Sequence, residues 1–143
     1  MKSRGGSAGF TLIELVVVVA IIAILAGFAV YNYGQYSFKS RRADGREFLL
    51  RIAGAQERFY TNFNRYTDQF GAGGLGLTGA TANRSDRGYY DVAIALGANN
   101  QDFTLTATPR VAQAQDKCGQ LKLDSRGKKE ATGAASHPGE VCW

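Results

Sequence analysis

Hydrophobic positions follow three different periods along this chain. From Phe10 to Tyr31, 19 of 22 residues are hydrophobic, interrupted only by Thr11, Glu14 and Gly27. A stretch apolar on every face predicts a helix surrounded by lipid or by other helices. Its 22 residues span roughly 33 Å as a helix, enough for a bilayer core. Further on, Phe48, Ile52, Ala55, Phe59 and Phe63 recur at spacings of four, three, four and four, and Leu49, Gln56 and Tyr60 widen the stripe. That is the period of an amphipathic helix burying one face. It predicts that the helix continues through residues 32–63 into water, with Glu47 and Arg51 pairing on its exposed side.

The period then becomes two. Tyr90, Val92, Ile94 and Leu96 alternate with Asp91, Ala93 and Ala95, and Phe103, Leu105 and Ala107 alternate with Thr104, Thr106 and Thr108. Leu121 and Leu123 repeat the pattern within Gln120–Asp124. Ala98-Asn99-Asn100-Gln101 and Ser125-Arg126-Gly127 read as turns. Three short strands with one apolar face, covered by one helix, predict an α+β domain. Residues 64–88 form a long irregular connection, and GAGGLGLTGA from Gly71 places five glycines in ten residues. It lacks the GK[ST] ending of a phosphate-binding loop and opens no helix after a strand, so it reads as a mobile surface loop.

Composition sharpens this division. The 143 residues carry net charge +5 and 45% hydrophobic residues, averages that by themselves describe one modest, mildly basic domain. Length excludes two large folded domains, and the aromatic content excludes a disordered chain. The averages conceal a chain whose first part and remainder need different solvents.

The residues around the apolar run add chemistry. Met1 to Gly9 carry Lys2 and Arg4, and the small residues Gly5, Gly6, Ser7, Ala8 and Gly9 stand before the run. A secretory signal peptide has its small residues after the run, where Gly27-Phe28-Ala29 is a poor site. The inverted order suggests a cut that leaves the helix in the mature chain. A cut after Gly9 would create an amine at Phe10, one helical turn before Glu14. Glu14 needs such a partner, within a chain or between chains, because an unpaired carboxylate in an apolar helix costs several kcal/mol. Its alternative is a helix N-terminal Glu at headgroup level, favouring the dipole.

Cys118 and Cys142 form an even pair in a small domain, which favours a disulfide and an oxidising compartment. Lys39, Arg41, Arg42 and Arg46 outnumber Lys2 and Arg4, so the positive-inside rule points the opposite way, with the C-terminal part in the cytoplasm. The cysteines outweigh this count. His137 is the only histidine and reads as a surface loop residue, so neither a zinc site nor a nucleophilic triad can be assembled. No cofactor or metal is implied, and the sequence reads as non-enzymatic. Lys117, Lys122, Arg126, Lys128 and Lys129 cluster towards the C-terminus, with Arg84 and Arg87 in the long loop. Their ordinary reading is a solvated face or subunit contacts. Their alternative is DNA phosphate binding, centred on Arg126, Lys128 and Lys129.

Gly9-Phe10-Thr11-Leu12-Ile13-Glu14-Leu15 resembles the signature of type IV prepilins. The resemblance implies cleavage between Gly9 and Phe10 by a prepilin peptidase, N-methylation of Phe10, and a role for Glu14 in assembly. Ser40 through Tyr60, Asn64-Arg65-Tyr66, Cys118-Gly119, Leu121-Lys122-Leu123-Asp124 and Cys142-Trp143 resemble the PilE-like minor pilins. One departure is the absence of proline from the apolar run, where many pilins have one; Gly27 and Gly34 are its only helix-weakening residues.

The implied fold is a pilin fold: a long N-terminal helix, membrane-spanning in its first half, packed on a small antiparallel sheet with a disulfide-bounded C-terminal region. The implied parts are a leader at 1–9, a membrane or fibre-core helix at 10–31, its amphipathic continuation at 32–63, a loop at 64–88, and sheet plus C-terminal region at 89–143. The implied partners are other pilin subunits, the peptidase, the inner-membrane assembly machinery and, before assembly, membrane lipid. The implied location is the inner membrane with a periplasmic domain, then an extracellular pilus serving twitching motility, adhesion or DNA uptake. Two alternatives share the ground plan. One is a pseudopilin of a type II secretion system, disfavoured by the sparse acids Asp116, Asp124, Glu130 and Glu140 near a potential calcium site. The other is a DNA-binding competence pilin.

Overall fold

The computed structural model describes residues 9–78, 82–111, 113–133 and 141–143. The leader up to residue 8 and His137 lie outside the described residues. The chain divides into two units, one ending at Tyr36 and the other running from Ser37 to Trp143.

The first unit holds the start of helix α1 (Leu12–Phe63). Thr11 precedes its first turn, and the Glu14 amide donates to Thr11 Oγ1 at 3.3 Å. Thr11 and Glu14 thus stand at the two sequence positions of a capping box, and Thr11 satisfies a donor that the first turn cannot. Every described residue from Gly9 to Phe28 is exposed.

In the second unit α1 lies against an antiparallel sheet. Its strands are β1 (Tyr90–Leu96), β2 (Phe103–Pro109), β3 (Leu121–Asp124) and β4 (Lys129–Ala131), ordered β1-β2-β3-β4. The register pairs Val92 with Ala107, Ile94 with Leu105, and Leu105 with Leu123. The alternating residues therefore form one apolar face across three strands. Phe48, Leu49 and Ile52 of α1 cover it, together with Tyr66, Cys118 and Cys142.

Three features depart from the sequence pattern. The fourth strand is the first: Lys129-Glu130-Ala131 pairs with Leu121–Leu123 but has no apolar alternation to reveal it. Second, Phe63 ends the stripe yet is 58% exposed, because the chain leaves the helix there; its ring lies against Phe59, with centroids 4.5 Å apart. Third, the Arg51 guanidinium hydrogen-bonds Asp86, at 2.6 and 3.0 Å, instead of Glu47. The glycine-rich loop folds back on itself, with Leu75 and Leu77 packed against the core.

Candidate assembly surface

The described apolar residues of the first unit bury nothing. Phe10 is 83% exposed, and Leu12, Ile13, Leu15, Val16 and the following aliphatic residues are exposed through Phe28. It is one helix long and apolar enough to cross a membrane. An apolar surface this extended is stable only against lipid or against other helices. Gly27, with Ala23, Ile24 and Phe28, lines a shallow groove on this surface, and nothing fills the space where its side chain would be. Among the described residues, the Glu14 carboxylate makes no ion pair or hydrogen bond. Gly9, Phe10 and Glu14 therefore all lie at the exposed start of this surface.

The second unit is anchored to its own stretch of helix by a buried charge. Arg42 lies on the core stripe, followed at successive spacings of three, four and three by Gly45, Leu49 and Ile52. Its guanidinium meets both Asp116 oxygens, at 2.6–3.0 Å, and donates to the Val141 carbonyl at 3.1 Å. Both side chains are essentially removed from water. Gln113 donates to Asp116 and, at 3.0 Å, to the Phe38 carbonyl of α1. Asp116 sits two residues before Cys118, whose bridge to Cys142 has a Cα–Cα distance of 5.6 Å. Ion pair and disulfide thus tie the C-terminal end to the helix. Beside them the Tyr90 ring passes so close to Gly45 that a Cβ there would meet it at 2.8 Å.

The candidate DNA-contact residues share one hairpin, and each has a local engagement. The Arg126 and Lys128 amides both donate to Asp124 Oδ1, at 2.9 and 2.8 Å, which shapes the β3–β4 turn. Lys128 pairs with Glu130, which raises the Lys128 pKa, and the Lys129 ammonium stands 5.6 Å from the Trp143 ring centroid. The Arg126 side chain lines a small cavity with Asp102, Thr104 and Ser125. Arg84 and Arg87 do not join this group. Arg84 pairs with Asp91 at the start of β1, beside the end of β2, whereas Ser125 bonds to Phe103 at the start of β2. Six residues of strand, about 20 Å, separate the two ends.

Sequence reasoning missed Arg42 and Asp116 as a pair, counting the first among membrane-flanking cations. The signal was present: an arginine at core spacing on an amphipathic stripe must find a buried partner. It likewise missed that Gln56, on the same stripe, would clamp the chain after the helix, donating to the Thr67 carbonyl and accepting from its amide.

Comparison with known proteins places these features together. Residues 32–122 match the family described as type IV minor pilin ComP, DNA uptake sequence receptor. Residues 4–30 match the prokaryotic N-terminal methylation motif. The chain is 36% identical over 89 residues to the type IV major pilin protein PilA of Myxococcus xanthus (strain DK1622), covering 62% of this chain. It spans only 38% of that protein's length. It is 33% identical over 125 residues to the fimbrial protein of Dichelobacter nodosus, covering 87% of this chain and 75% of the relative. A type IV pilin from Shewanella oneidensis superposes with a TM-score of 0.52 at 27% identity, covering 74% of this chain and 97% of the other.

Proposed function

The chain belongs to the type IV pilin family, and we propose that it is a minor pilin, cut between Gly9 and Phe10 and assembled into a fibre through its apolar helix. The observation that carries this reading is the unburied helix surface behind a cleavage motif in register. The cut leaves the amine of Phe10 one turn from Glu14, and the prokaryotic methylation motif supports N-methylation of that amine. In the bilayer the apolar side chains face lipid. In the fibre they face neighbouring helices, so the transfer exchanges one apolar environment for another. Glu14 supplies the directional step: its carboxylate is costly in lipid and finds the Phe10 amine, its own or a neighbour's, on assembly. This reading has the second unit on the periplasmic side, where the disulfide forms.

Substituting Glu14→Val tests it. The variant is expected to be cut normally after Gly9 and to accumulate in the membrane, with little of it in sheared fibres. Fibre incorporation at the wild-type level would overturn the role of Glu14.

A second reading, DNA capture, is favoured by the match to the ComP minor pilins, whose description names a DNA uptake sequence receptor. The β3–β4 hairpin offers Arg126, Lys128 and Lys129 for phosphate contact. Replacing all three with Gln is expected to weaken duplex binding and to flatten its salt dependence by about three units of slope. An unchanged affinity and slope would remove this hairpin from the DNA surface.

A further inference from the structure

A second cationic surface lies at the opposite end of the sheet from the β3–β4 hairpin. The Asp91 carboxylate accepts from Arg84 Nε at 2.9 Å and from Arg110 Nη1 at 2.6 Å. Two guanidiniums on one carboxylate leave the site positive. The Arg110 amide donates to the Tyr89 carbonyl, and the Arg41 guanidinium of α1 lies 4.9 Å from the Tyr89 ring centroid. Arg87 is exposed, and its amide donates to Asp44, three residues past Arg41. Lys39 is exposed two residues before Arg41.

Chain length bounds how far this surface can stand from the apolar run. Tyr33 and Tyr36 follow the apolar run and are exposed. Tyrosines in that position settle at the headgroup level of a bilayer. Five residues separate Tyr36 from Arg41, about 7.5 Å along a helix. Fully extended they span at most about 18 Å. By contour length alone, Arg41 stays within reach of the phosphate layer, and Tyr89, stacked under it, carries the Arg110 backbone beside it.

We propose that Lys39, Arg41, Arg84, Arg87 and Arg110 form a surface for anionic phospholipid headgroups, holding the domain against the leaflet until the helix is withdrawn. The inference rests on the reading of Phe10–Tyr31 as a bilayer-spanning helix. Lipid is the occupant because the aromatic residues and the short tether bring these cations to a membrane. Lys39 and Arg41, which oppose the positive-inside count, thereby gain a role on the far side.

The test uses the full chain reconstituted in phosphatidylcholine vesicles, with spin-labelled phosphatidylglycerol or phosphatidylcholine as probe. The wild type is expected to immobilise the anionic probe in severalfold preference, and the preference is expected to collapse at high salt. Lys39→Gln with Arg87→Gln removes no side-chain hydrogen bond or ion pair found among the described residues and is expected to lower the selectivity, by about fivefold per cation at most. Arg84→Gln, Asp91→Asn and Arg110→Gln together remove one further net positive charge without leaving an unpaired carboxylate, keep Arg41 in place, and are expected to lower it further. Immobilised lipid of both kinds with no anionic preference, or a preference that both variants retain, overturns the headgroup surface and leaves the spanning helix intact. No immobilised lipid of either kind overturns the spanning helix itself. Variant-sensitive binding of a duplex DNA without anionic-lipid preference overturns the proposal in favour of nucleic acid.

Discussion

At Arg42 a charge that topology rules would assign to the membrane surface is taken inside the protein. Its three hydrogen bonds to Asp116 and its donation to Val141 hold three distant parts of the chain on one guanidinium. Removing Asp116 takes from the buried Arg42 guanidinium the carboxylate that accepts three of its hydrogen bonds. Asp116→Ala is therefore expected to destabilise the second unit by about 3–5 kcal/mol, measured by urea unfolding of the detergent-solubilised chain. Arg42→Met combined with Asp116→Leu is expected to cost clearly less than the single change. A single-variant loss below about 1 kcal/mol would show that the pair does not anchor the C-terminal end. The neighbouring Tyr90 gives a pH signature. Burial, the largest cause, pushes its phenol up to about 12, so the folded state retains a proton that the unfolded chain gives up near 10. Stability from this group is full below pH 10 and is lost as pH rises through about 12. Absorbance titration of the phenolates is expected to show a tyrosine titrating near 12 that is absent in Tyr90→Phe.

At the scale of elements, what was legible depended on period. The strand alternations at Tyr90–Leu96, Phe103–Pro109 and Leu121–Asp124 are all realised, because each pairs an apolar face with a polar one. β4 was invisible, since three residues without alternation carry no such signal; only the register with β3 defines it. The helical stripe was legible in its period and not in its end, because burial there depends on where the following chain returns. The Gln56–Thr67 clamp and the hydrogen bond from the Tyr66 amide to Asn100 set that return. The contrast is measurable. Phe59→Ala is expected to cost about 3–5 kcal/mol, whereas Phe63→Ala is expected to cost less than about 1 kcal/mol. Equal costs would mean that Phe63 is packed in solution. The disulfide closes a loop whose ends lie 24 residues apart, worth roughly 3–4 kcal/mol in the chain-entropy model. Its pairing was readable from cysteine arithmetic, whereas its coupling to Arg42 required the fold.

For the whole molecule, the small core and the bare apolar helix belong to one design. The second unit supplies a domain stapled by its disulfide, and the described residues from Gly9 to Phe28 supply an exposed apolar surface. The count of flanking cations points against the proposed orientation, and it could not separate Arg42, buried on Asp116, or Arg41, stacked on Tyr89, from cations exposed to water. The candidate site was legible at Gly9, Phe10 and Glu14, where a linear motif carries the chemistry. The cationic surfaces were not, because Arg84 and Arg126 are placed at opposite ends of the sheet only by strand register. The account's central claim is that the helix beginning at Phe10 leaves the membrane and becomes part of a fibre. Intact-mass analysis of this chain recovered from sheared fibres tests that claim most directly. The expected result is a chain that starts at Phe10 and carries one methyl group on its amine. A fibre-bound chain that still begins at Met1, or a processed chain found only in the membrane while fibres form without it, would contradict the account.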